Sequence, residues 1–368
     1  MKKCIFLIAV MFASIINAAS INLNKIILPS SDNVSFTGRT ETLKDGSVRY
    51  DWTGVYMQTC FTGGAISIIV SDTGKSYYNI FIDGRLIKKI LITGIEPHNI
   101  ILAKNLSRDK HILCLQKCTE GQYGCTTIHK ICIAKSAYLT SVPRKNRKIE
   151  VIGDSYTCGF GVESKCASDT FRLDTENSNF AYGCLIARYF DADYILTAHS
   201  GQGMVRDWAD SSQVSKENMS SRYPMIYDNF YDNRNYNFKS YIPQLVIINL
   251  GTNDFSPTAI PTDAQYEGAY IKMIKMIKSK YGNDVKILCV IPHSASLYLS
   301  ACLSDLSNYI SSMEGVYIAN AMPGIVTEKS DMGASWHPNI SGQQKIAMTL
   351  IPKISAIMGW PMEQKIVE

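Results

Sequence analysis

Several things are scarce in this chain, and each scarcity excludes something. No run of Lys and Arg marks a nucleic-acid-binding face: the net charge is only +5 over 368 residues. No nucleic-acid partner is therefore expected. Beyond the N-terminus, no apolar segment reaches the length needed to cross a bilayer. There is no Cys-x-x-Cys pair, and His129, near Cys125 and Cys132, lacks a standard ligand spacing, so a zinc site is not indicated. Internal repeats and low-complexity tracts are missing as well. With 46% hydrophobic and 19% charged residues, the composition is that of a folded globular protein, long enough to bury a sizeable core.

What is present begins at the N-terminus. Lys2 and Lys3 precede an apolar run from Ile5 to Ile16, and small residues follow at Ala18, Ala19 and Ser20. This is the pattern of a secretory signal peptide, expected at residues 1–19. The run is short for a membrane anchor. The mature chain is expected to be secreted or periplasmic, free of the membrane once cleaved, and mildly basic. Of the 11 cysteines, all but Cys4 lie beyond the cleavage point. Export permits disulfides, but the spacings fix no pairing, and buried free thiols are an equal alternative.

The pattern changes near residue 145. Before it lie short β-rich runs at 65–72, 77–92, 98–106 and 111–118. Asp83-Gly84 between two apolar runs is a hairpin signal, and repeated short strands suggest a β-sandwich over 20–142. Residues 143–148 read as a linker. From 149 to 362 strand and helix patterns alternate. The candidate strands are 149–153, 194–199, 245–250, 285–291 and 316–320, each a β-branched apolar run suited to a parallel sheet covered on both faces. The alternation predicts a doubly wound α/β domain, in which ligands bind beyond the carboxyl ends of the strands.

Four segments lie at such ends or in nearby loops. Gly153-Asp154-Ser155 follows the first strand; alone, such a triplet is more often a turn or a helix cap. His199-Ser-Gly-Gln-Gly follows the second, with Gly201 and Gly203 able to bring backbone N–H groups close to a ligand. Gly251-Thr-Asn-Asp follows the third. The side-chain amide of Asn253 is the kind of donor an oxyanion hole needs, although an Asn-Asp helix cap is the plainer reading. His337-Pro338 precedes the last helical pattern. A serine nucleophile needs a base and oxyanion donors, and here all of them fall in order on one predicted face.

These four blocks resemble the SGNH (GDSL) hydrolase superfamily. The resemblance implies Ser155 as nucleophile and backbone donor, Gly201 or Gly203 and Asn253 as further oxyanion donors, and His337 as base. The stretch GRTETLKDGSVRYDWTGVYMQTCFTG and the segment YPMIYDNFYDNRNYNFKSYIPQLVIINLGTNDFS are similar to carbohydrate esterase family 2. That likeness implies an N-terminal jelly roll, an O-acetylated polysaccharide as substrate, no cofactor and no metal. One departure stands out. The superfamily places Asp two or three residues before the base, where this chain has Ser335 and Ala334. A backbone carbonyl, Asp331 from further away, or weakened activity are the alternatives. Trp336, Trp208 and Tyr227 are the expected sugar contacts, with Tyr223 and Tyr231 nearby, though core packing is the default for any one of them. The expectation is a monomeric carbohydrate O-acetylesterase. An esterase for peptidoglycan or small acyl esters, and a non-catalytic glycan-binding protein, are the alternatives.

Overall fold

The computed structural model describes residues 23–320, 326, 329–365 and 367. The expected signal peptide, 1–19, lies outside the described residues. No helix among those described is long and apolar enough to cross a membrane.

The N-terminal half is built of antiparallel strands. Its spine is a long hairpin, Ile66–Ile82 with Arg85–Ala103, turning at Asp83-Gly84 with both residues at positive φ. That is the left-handed pair which a two-residue hairpin turn demands. Of the four runs read from the sequence, 111–118 forms the strand His111–Lys117, but 65–72, 77–92 and 98–106 do not stay separate. Two continuous strands form instead, bent by register shifts around Asp72 and Lys75. The bend lets Ile66–Asp72 pair with Thr126–Ile133 while Tyr78–Ile82 pairs with His111–Lys117. Alternate residues such as Ile66, Ile68 and Val70 point into one apolar core with Trp52, Tyr78 and Leu115.

The C-terminal half carries five parallel strands: Arg147–Gly153, Ala192–Ala198, Leu245–Asn249, Lys286–Ile291 and Val316–Asn320. In space the second strand flanks the first on one side and the third on the other, followed by the fourth and fifth. Successive residues serve opposite faces. Ile149, Val151 and Ile247 pack with the helices Tyr182–Tyr189 and Ile340–Met358. Ile152, Val246 and Ile248 pack with Asp263–Tyr281 and Leu297–Ile310. The strand order reverses around the first strand, so its carboxyl end opens into the crevice where such sheets bind ligands.

Glu150, in the middle of that first strand, is fully buried. It accepts from Arg39 at 3.0 Å, Thr197 at 2.8 Å, Tyr281 at 2.7 Å and Tyr223 at 3.1 Å. Arg39 comes from the β half, and its guanidinium lies over Tyr236 and Tyr223. A buried ion pair is at best weakly stabilising, but removing one partner strands a charge at a cost of about 3–5 kcal/mol. The two halves are thus bolted together beneath the site. The ten cysteines among the described residues are all unpaired.

Candidate active site

The first strand ends in Gly153, where an added Cβ would lie 2.0 Å from Thr157 Oγ1. Only glycine lets the chain turn this tightly into the one-turn helix Ser155–Cys158. The Asp154 side chain caps that helix, accepting from the Tyr156 N–H at 3.1 Å. Burial pushes the Asp154 carboxyl up to about 7, against that same hydrogen bond. Ser155 stands at the head of the helix, 7% exposed.

His337 meets it there. Its Nε2 lies 2.9 Å from Ser155 Oγ, and its Nδ1 lies 3.0 Å from the Ser335 carbonyl oxygen. A carbonyl can only accept, so Nδ1 carries the proton and Nε2 is left with a lone pair facing the serine hydroxyl. The carbonyl is aimed by an unusual backbone: Ser335 and Trp336, neither of them glycine, have φ of 52° and 61°. Two bonds hold this left-handed turn in place, Ser335 N–H to Asp169 O at 2.9 Å and Trp336 N–H to Ala167 O at 3.1 Å. Asp331 does not reach His337. Its carboxylate is engaged by Lys345 at 2.5 Å and by Ser341 Oγ at 2.9 Å.

The imidazole of His337 is packed by Phe160, centroids 4.5 Å apart, and by the edge of Tyr156. Phe160 in turn stacks on Phe171 at 3.9 Å. Burial holds the His337 pKa below the usual histidine range, while the Ser335 and Ala334 carbonyls and the charge of Glu120 pull the other way. His293, packed against Tyr156 at 4.9 Å, is pushed down to about 4 by burial and by His337, and so stays neutral.

The glycines left equivalent by the sequence are distinct in space. A Cβ on Gly203 would lie 2.3 Å from Asp254 Oδ2 and 2.2 Å from the Arg206 carbonyl. Gly203 is bare because Asp254 sits against it, accepting N–H bonds from Met204, Val205 and Arg206 at 2.7–3.0 Å. Gly201, at φ 81°, faces open space. Among the described residues, neither the Gly201 N–H nor the Ser155 N–H donates to a protein acceptor. The Asn253 amide donates to the Gln202 carbonyl at 2.9 Å and to Asp154 at 3.2 Å. It therefore bridges the turns that carry Gly201 and Ser155.

Of the aromatics expected to meet sugar, Trp336 and Trp208 are 59% and 64% exposed, and the Trp208 N–H donates to the Gly201 carbonyl at 2.8 Å. Tyr227 is a correction. It is fully buried, and its hydroxyl donates to Glu41 of the β half, so no sugar face can stack on it. Tyr223 is buried too, against Arg39, whereas Tyr231 is 90% exposed. Sequence reasoning missed Phe160, Tyr156, His293 and Glu120. Phe160 and Tyr156 flank the GDS block closely enough to be suspected from proximity. His293 follows the fourth strand, the same signal that singled out the other blocks. Glu120 carries no sequence signal, since its partner lies 80 residues away.

Fold and site together define a serine hydrolase on an open parallel sheet, fronted by an all-β unit. Comparison with known families agrees. Residues 151–345 match the GDSL-like lipase/acylhydrolase family, and residues 36–143 match the carbohydrate esterase 2 N-terminal domain. The chain belongs to the GDSL-like lipase/acylhydrolase family, in the arrangement of the family 2 carbohydrate esterases. It is 29% identical over 333 residues to an acetylxylan esterase/glucomannan deacetylase of Cellvibrio japonicus, covering 85% of this chain and 87% of that one. It is 26% identical over 339 residues to the cellulase/esterase CelE of Acetivibrio thermocellus, covering 90% of this chain but only 40% of that longer protein. A family two carbohydrate esterase from Clostridium thermocellum, solved with cellohexaose, superimposes with a TM-score of 0.82 at 26% identity, covering 89% of this chain and all of that one.

Proposed function

We propose that this protein is a carbohydrate O-acetylesterase that removes acetyl groups from polysaccharide hydroxyls through a Ser155–His337 dyad. The observation that carries this reading is the relay from Ser335 O through His337 to Ser155 Oγ, 3.0 and 2.9 Å long, at the mouth of the sheet. His337 Nε2 takes the serine proton as Oγ attacks the acetyl carbonyl. The Ser155 and Gly201 N–H groups receive the oxyanion, the Asn253 amide joins them by exchanging its 3.2 Å bond to Asp154 for one to the oxyanion, and Gly203 serves only to seat Asp254. The imidazolium formed is steadied by the Ser335 carbonyl and then protonates the departing sugar oxygen. Water, deprotonated by the same histidine, releases acetate. No step calls for a metal or an organic cofactor.

Trp336 and Trp208, exposed beside the base and the Gly201 turn, are read as sugar platforms. The names of the relatives support acetylated plant polysaccharide as the substrate class. The bent antiparallel unit is read as a jelly roll in front of a doubly wound sheet, and the mature chain as a secreted or periplasmic monomer. The test is acetate release from acetylated xylan, glucomannan and peptidoglycan by the wild type and by Ser155→Ala. Release from the plant polymers, abolished in the variant, is expected. Release from peptidoglycan alone would move the substrate to the bacterial wall. Glycan retention with no release from any polymer would make the protein a binding module.

A further inference from the structure

Behind the Ser155 helix lies a closed polar cluster that the mechanism above does not use. Glu120 of the β half, Cys158 and Glu176 place ligand-type atoms within 4.8 Å of one another, and all three residues are buried. Both oxygens of Glu120 are committed. One accepts the Ser200 N–H at 2.5 Å and the other the Ser200 hydroxyl at 2.5 Å. Ser200 immediately precedes Gly201. Glu176 stands apart: it is fully buried, and neither of its oxygens has a hydrogen-bond donor among the described residues. Lys117, itself buried, donates from its ammonium to the Thr119 carbonyl at 2.6 Å and the Glu120 carbonyl at 3.1 Å.

That ammonium also serves the buried carboxyl of Asp51. A further buried carboxylate would be stranded, and such a group is kept as the neutral acid instead. Burial, followed by the nearby charge of Glu120, holds the Glu176 carboxyl well above the usual range. A divalent cation among these three side chains would face the Lys117 ammonium, so a proton is the better occupant than a metal.

We propose that Glu120, contributed by the β domain, is a positioning residue that fixes the oxyanion turn through Ser200. A carboxylate accepting both an N–H and an O–H from one serine holds that residue's backbone and rotamer at once. It thereby sets the direction of the next peptide, which carries the Gly201 N–H. The β domain is then part of the catalytic apparatus. The inference rests on the assignment of Gly201 as an oxyanion donor.

The experiment is a kinetic cycle on 4-nitrophenyl acetate with Glu120→Ala, Glu120→Gln, Ser200→Ala and the double variant of Glu120→Gln and Ser200→Ala. Removing an oxyanion donor outright costs about 10²–10³ in kcat, so loosening one through Glu120→Ala should cost roughly ten- to a hundredfold, with KM changed less than about twofold. Glu120→Gln keeps one acceptor oxygen for the Ser200 N–H and should recover part of that loss. The double variant should lose less than the product of the two single losses, because both act through one contact. Unchanged kcat in Glu120→Ala, a loss confined to KM, or fully multiplicative losses in the cycle would overturn the proposal. If Glu120→Ala does not fold, the near-isosteric Gln and Ala pair carries the cycle alone. Failure of the esterase reading is separate: the wild type itself would then be inactive on the ester, or Ser155→Ala would be as active as the wild type.

Discussion

Two loops at the mouth of the sheet each orient a histidine, and they do so by opposite means. In the loop after the second strand, His199 Nδ1 is 2.8 Å from Asp228, a fully buried carboxylate that also receives Arg222 and the Gly121 N–H. In the 333–338 loop, His337 has only a main-chain carbonyl. By the usual signature of a hydrolytic triad, His199 is the better-dressed residue. Yet it is His337 that contacts the serine. Asp228 outweighs burial and raises the pKa of His199, whereas His337, with only carbonyl acceptors in an apolar enclosure, is held below the usual histidine range by burial.

The sharpest way to break that contrast is His337→Ala. It should lower kcat by about 10⁴-fold or more with the fold intact by circular dichroism, as removal of a member of a Ser-His unit does. A loss under about tenfold would hand the role of base to another group. The glycines of the first loop come next. Gly203→Ala forces a Cβ onto Asp254 and should cost about 2–4 kcal/mol of stability in urea unfolding. Gly201→Ala meets open space and carries only its left-handed strain, about 1 kcal/mol. Equal losses would mean that the two positions are not distinguished as described. His199→Ala should leave kcat within about tenfold but lower stability by about 1–3 kcal/mol, since Asp228 loses a buried partner.

The two histidines should also respond to pH in opposite directions. Burial keeps His337 below its ordinary range, and its neutral form is the active one. The kcat/KM profile should therefore rise through an apparent pKa below about 6.5 and then level off. Burial opposes charge on His199 as well, but Asp228 outweighs it and the pKa is raised. A raised histidine contributes stability that is full below its unfolded value, near 6.5, and fades as pH climbs through the folded one. Unfolding free energies of wild type and His199→Gln, measured from pH 5 to 9, should converge toward the alkaline end. A gap that widens there would reverse the assignment. The smallest effect expected is Trp336→Ala, which raises KM for acetylated polysaccharide about threefold or more and leaves small esters untouched, as loss of one exposed aromatic contact would.

How much of this was legible in sequence depended on how local each cause is. Ser155 and His337 were legible through four short blocks in order, GDS, the glycine turn, GTND and HP, and not from either residue alone. The parallel strands were legible because runs such as Leu245–Asn249 are buried on both faces and read as unbroken apolar segments. The roles of Gly201 and Gly203 were not separable, since the difference between them is made by Asp254, about fifty residues on. Tyr227 misled because its burial is decided by Glu41, 186 residues earlier in the chain. The missing acid before the base was correctly read as an absence. What replaces it was hidden, because left-handed φ at Ser335 and Trp336 is imposed by hydrogen bonds from 167–169 and not by the residues themselves.

The Ser335 carbonyl has one further consequence, which concerns inheritance more than chemistry. An orienting aspartate is a side chain, and a single nucleotide change can erase it. A carbonyl is common to every codon at position 335. No substitution there deletes the group, and only a change that redirects the backbone between Ala334 and His337 can disarm the base. In this relay the orienting group is not encoded by any one residue's side chain.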